Sequence, residues 1–165
     1  MEKKISFKGT AVTIEDKLNI GDIFPNFSAV KKDLSDFKLD EYKGNIVVIN
    51  TFPSIDTGVC ALQTIRFNKE VSGFKDVVAV TVSKDLPFAL GRFCAAEGIN
   101  NLTMLSDFRG DFAKHYPIVF TDTPLKGLLS RCVIVLDEQG KVVYTEQVAE
   151  TTDEPNYVKA LEALK

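Results

Sequence analysis

The sequence predicts an α/β fold, a single domain over residues 1–165, on three observations. From Ile46 onward, short runs of β-branched and apolar residues alternate with segments of helical period. At 165 residues the chain can bury a substantial apolar core without disulfide or metal staples. Hydrophobic residues make up 45% and charged residues 26%, the ordinary balance of a globular domain.

The elements follow in order. Ile5, Phe7, the pair Gly9-Thr10, then Val12 and Ile14 have the period of two of a β-hairpin. A loop through Asp22 to Pro25 leads into mixed polar sequence without a clear period. Ile46–Phe52 reads as a buried strand. A helix follows from about Gly58 to Val71, with Ala61, Leu62 and Ile65 expected inward and Arg66, Asn68, Lys69 and Glu70 outward. Next come a strand, Val77–Val82, and a helix from Pro87 to Glu97 that Gly98 stops. Leu102–Leu105 is a short strand, and Phe108–Tyr116 a short helix ended by Pro117. Arg131–Leu136 and Lys141–Gln147 flank the turn Asp137–Gly140 as an antiparallel hairpin. Asp153 is the expected N-cap of a last helix, with Pro155 in its first turn and Tyr157, Leu161 and Leu164 on one face. A β-α-β-α core that closes with a hairpin and a helix is the thioredoxin layout. The N-terminal hairpin and an inserted helix are additions to it.

Composition removes several function classes. A net charge of −3 lacks the basic footprint that nucleic acid requires. No apolar run approaches the roughly 18 residues of a membrane span. Basic residues at the start have no apolar block behind them, so they do not form a secretory signal, and a cytoplasmic location is expected. The cysteines stand at 60, 94 and 132, with no C-x-x-C. Three is too few for a secreted disulfide framework, and with one histidine there is no pattern for a structural zinc site.

The chemistry concentrates at Thr57-Gly58-Val59-Cys60, where the first core strand hands over to its helix. This is a C-x-x-C with threonine in the first position, so an attacking Cys60 would be paired with a hydroxyl. Thiolate is the nucleophilic form, and helix N-termini and nearby cations favour it. A peroxide attacked at one oxygen expels the other as an anion, which calls for a donor and a cation beside the sulfur. Thr57 offers the hydroxyl. The product, a sulfenic acid, condenses with a second thiol to a disulfide.

These residues resemble the peroxiredoxins, and closely the bacterial thiol peroxidase branch, of the atypical two-cysteine type. The signature P-x-x-x-T-x-x-C is matched by Pro53, Thr57 and Cys60. Branch wording is matched by Phe52-Pro-Ser-Ile-Asp-Thr-Gly-Val-Cys60, by Asp85-Leu-Pro-Phe-Ala89 with Arg92-Phe-Cys94, and by Pro124-Leu-Lys-Gly-Leu128. The similarity runs from the hairpin to Glu154-Pro-Asn-Tyr157. The resemblance implies that Cys60 is the peroxidatic cysteine, and that Thr57 hydrogen-bonds the thiolate and peroxide oxygen. It implies that Pro53 shields the sulfur, that Arg131 stabilises thiolate and departing oxygen, and that Cys94 resolves the sulfenic acid as a Cys60–Cys94 disulfide. It further implies organic hydroperoxides and hydrogen peroxide as substrates, thioredoxin as reductant, a homodimer, and no metal or organic cofactor.

Plainer readings stand beside these. Cys60 and Cys94 can be buried packing thiols, Thr57 a helix cap, Pro53 a strand end and Arg131 a solvated charge. Cys132, inside an apolar strand, reads as structural, and His115 as a partner of helix-end carbonyls without a catalytic part. A thiol–disulfide relay and a non-catalytic thioredoxin-fold module also fit the layout. Thr57 and Arg131 together favour the peroxidase, because disulfide exchange needs no donor for a departing oxyanion.

Overall fold

The computed structural model describes residues 2–15 and 18–164. Its centre is a seven-stranded sheet in the order β4-β3-β7-β6-β5-β8-β9. The strands are β3 (Ser28–Lys31), β4 (Asp36–Lys38), β5 (Ile46–Thr51), β6 (Val77–Ser83), β7 (Thr103–Ser106), β8 (Cys132–Leu136) and β9 (Val142–Gln147). β5, β6 and β7 run parallel, and β8 lies antiparallel to β5. The helices are α1 (Gly58–Val71), α2 (Pro87–Glu97), α3 (Asp111–His115) and α4 (Tyr157–Glu162). A separate hairpin pairs β1 (Glu2–Phe7) with β2 (Thr10–Glu15). The layout is thioredoxin-like. Among the described residues, no helix is long and apolar enough to cross a membrane.

Strand alternation divides the core into two. Val47, Ile49, Cys132, Ile134 and Leu136 face one layer with Phe24, Phe27, Phe37 and Phe112. Val48, Phe52, Val133 and Val135 face the other, with Phe67 of α1, Leu90 and Cys94 of α2, and Tyr157 and Ala160 of α4. The mixed polar stretch after Pro25 folds into β3, β4 and a 3₁₀ turn at Leu39–Tyr42. Its strands of four and three residues are too short to show a period in sequence.

Helix ends follow their local chemistry. Pro87 opens α2 at its first position, and Gly98 closes it at φ 65° in the left-handed region that glycine tolerates. α4 differs from expectation. Its N-cap is Asn156, whose side chain accepts from the Lys159 N–H, so Pro155 lies before the helix and Asp153 is not the cap. The short helix begins at Asp111, after the left-handed Gly110, and not at Phe108.

α1 corrects a second expectation. Its buried stripe is Cys60, Gln63, Thr64, Phe67 and Val71, while Leu62 is 54% exposed and Ile65 39% exposed. Two polar residues point inward and two aliphatic ones outward. Apolar spacing is overridden here because the inward face serves the functional site, where local rules commonly yield.

Candidate active site

The site stands at the C-terminal end of β5, where open α/β sheets place their ligands. The chain leaves β5 at Thr51 and turns through Pro53 to Asp56. It enters α1 with Thr57 extended at the N-cap (φ −108°, ψ 149°). Thr57 gives no side-chain cap; its hydroxyl donates to the Ser54 carbonyl at 2.9 Å. Its lone pairs therefore remain available as acceptors. Among the described residues, no hydrogen bond joins Thr57 to the Cys60 sulfur.

Cys60 occupies the third position of α1 and is fully buried. The Arg131 guanidinium donates to Cys60 Sγ at 3.2 Å, to Gln63 Oε1 at 2.6 Å and to the Thr151 carbonyl at 2.9 Å. Arg131 is only 2% exposed, and among the described residues no carboxylate pairs with it. A buried cation without a counterion is costly. The sulfur of Cys60 is one of the three acceptors set against it. Arg131 precedes β8 on the side opposite Cys132, so strand alternation itself delivers the cation to the α1 face.

A pocket of about 310 Å³ opens beside this cluster, lined by Pro53, Thr57, Val59, Arg131, Phe7 and Leu125 among others. The hairpin tip thus contributes a wall. Glu150 fastens it, accepting from the Ser6 hydroxyl and from the Lys8 and Gly9 N–H groups on one side, and from Thr152 on the other. The Ser6 hydroxyl, with Thr152 and these amides, holds the Glu150 carboxyl down at about 2.

Cys94 lies in α2, 5% exposed, and like Cys60 it is a thiol outside any disulfide. Burial pushes the Cys94 thiol up, partly offset by Lys32. Cys94 shares the Cys60 layer of the core, whereas Cys132 faces the other, 3.9 Å from the Tyr116 hydroxyl. His115 meets the Asp111 carbonyl at 2.9 Å within α3. Sequence reasoning missed Gln63, which one signal marks. It follows Cys60 by three residues, a helical neighbour on the same face.

Known proteins resemble this chain over nearly its whole length. The redoxin family pattern matches residues 19–161. A thiol peroxidase of Corynebacterium glutamicum is 45% identical over 162 residues, 98% of each chain. Another, from Leptospira interrogans, is 46% identical over 97% of this chain and 96% of its own. The chain belongs to the thiol peroxidase branch of the peroxiredoxins. Like that family it is a thiol-dependent peroxidase. A peroxiredoxin-like protein from Aquifex aeolicus superposes with a TM-score of 0.94 at 38% identity, covering 99% of this chain and 96% of that one. The shared fold thus extends over both the hairpin and the core.

Proposed function

We propose that Cys60 attacks hydroperoxides as a thiolate and is resolved by Cys94. The sulfur attacks the terminal oxygen, an S–O bond forms as the O–O bond breaks, and the alkoxide or hydroxide leaves and takes up a proton. Cys60 becomes a sulfenic acid. Arg131 balances the negative charge on sulfur and then on the departing oxygen, Thr57 accepts the peroxide O–H, and Pro53 walls the sulfur from bulk water. Cys94 then attacks the Cys60 sulfur; an S–S bond forms, and the hydroxyl leaves as water with the thiol's proton. A thioredoxin-type dithiol returns the pair to thiols by exchange.

The observation that carries this reading is a buried guanidinium 3.2 Å from Cys60 Sγ, with no carboxylate paired to it among the described residues. Apolar walls at Phe7, Val59 and Leu125 suit organic hydroperoxides as well as hydrogen peroxide. We take residues 1–165 as one domain, acting as a homodimer in the bacterial cytoplasm. The test adds one equivalent of hydroperoxide to reduced protein and maps cysteines by mass spectrometry. A Cys60–Cys94 linkage, and thioredoxin-linked NADPH loss only with hydroperoxide, are the expected results. A Cys60–Cys132 linkage would remove Cys94 from the mechanism.

A further inference from the structure

Asp85 sits in the connection from β6 to α2, two residues before Pro87. Its carboxylate accepts from the Ser54 hydroxyl at 2.7 Å, the Ile55 N–H at 2.8 Å and the Ser83 hydroxyl at 2.6 Å. Its own carbonyl accepts from the Ser106 hydroxyl. Two of the three donors to the carboxylate belong to the loop that delivers Cys60; the other contacts belong to β6 and β7. Ser54 is itself central to that loop: its carbonyl receives the Thr57 hydroxyl and N–H, and its Oγ receives the Asp56 N–H.

We infer that Asp85 is a latch joining the Cys60 loop to the root of the Cys94 helix, a positioning residue that sets the balance between peroxide attack and disulfide formation. This rests on the reading that Cys94 resolves Cys60. Peroxide attack needs Cys60 held in the first turn of α1, under Arg131. A disulfide needs Cα atoms within about 7 Å and converging Cβ vectors. Packed helix axes lie about 8–10 Å apart, so two helices seldom provide that geometry without local unwinding. The Asp85 contacts are charge-assisted and part-buried, the strong kind. A second tie between the same two segments, Arg92 to Asp56 at 3.6 Å, is exposed on both sides and weak. Asp85 therefore carries most of the connection that unwinding must break.

The experiment follows two rates by rapid quench with hydrogen peroxide, since the chain has no tryptophan to report on the site. One is oxidation of Cys60, trapped as sulfenic acid; the other is its conversion to disulfide. Asp85→Ala is expected to slow the first and speed the second, so that their ratio shifts at least tenfold toward resolution. Ser54→Ala and Asp85→Asn, milder changes that keep the protein folded if Asp85→Ala does not, shift it the same way by a smaller factor. Exchange of the Ile55 amide should quicken at least tenfold in Asp85→Ala. Arg92→Ala should leave both rates within twofold. A ratio within twofold of wild type in all three latch variants would overturn the latch, whether neither rate moves or both fall together. So would an equal shift in Arg92→Ala. If wild type forms no Cys60–Cys94 disulfide, Cys94 is not the resolver. The latch then stands or falls on Cys60 oxidation and Ile55 exchange alone.

Discussion

At the scale of single residues, Arg131 and its partners make the sharpest predictions. Removing a hydrogen bond to a charged group costs about 1.5–3 kcal/mol, or roughly 10- to 100-fold in a rate that depends on it. Arg131→Ala should therefore slow peroxide oxidation of Cys60 about 100-fold, measured by stopped-time quench; an unchanged rate would put Arg131 outside the chemistry. Gln63→Leu removes the acceptor 2.6 Å from the guanidinium but leaves the cation in place. It should cost about tenfold. Cys132→Ala, across the sheet, should keep turnover within twofold while costing about 1 kcal/mol in chemical denaturation.

At the scale of elements, α2 and the N-terminal hairpin carry the testable expectations. Glycine weakens a helix interior by about 1 kcal/mol relative to alanine, and α2 carries Gly91 between its proline start and its Gly98 stop. Oxidation should therefore raise amide exchange across residues 88–97 in wild type but not in Cys94→Ser, which cannot close the bridge. Equal protection in both redox states would argue against an unwinding step. The hairpin is governed by Glu150. Its folded value of about 2 lies below the ordinary 4.5, so its contribution to docking is full above about 4.5 and is lost as pH falls toward 2. Protection factors at the tip, residues 6–10, should hold at pH 5 and fall progressively below 4. Glu150→Gln should release the tip at neutral pH, and a tip equally protected in that variant would mean the hairpin is held by packing.

At the scale of the whole molecule, two large apolar side chains near the site stand exposed. Phe88 is 68% exposed and Leu86 53%, both at the start of α2. Phe88 lies one helical turn before Arg92, which reaches Asp56 of the Cys60 loop, so the exposed ring flanks the site. A homodimer through this surface would give a dimer mass in sedimentation equilibrium, and Phe88→Glu should shift it to monomer. A dimer that survives the substitution places the interface elsewhere.

Much of this was legible from residue order. The α1 and α2 boundaries, the β8–β9 hairpin and the sulfur at a helix start all follow from period, proline and glycine, which act over a few neighbours. The Pro53, Thr57, Cys60 pattern was readable for the same reason, because strand, turn and first helical turn are contiguous. Three things were not readable, and each spans distant segments. Leu62 and Ile65 face out because Gln63 must face Arg131, 68 positions away in the chain. Asp85 gains its meaning only when β6 lies beside β5 and brings it to Ser54 and Ile55. Glu150 becomes a clasp only when the hairpin folds back over residues more than 140 positions later. Local sequence determined where the Cys60 thiol sits. Tertiary contacts decided which cation meets it, which side chains wall the pocket beside it and which carboxylate ties down its loop, because those interactions depend on distance in space rather than along the chain.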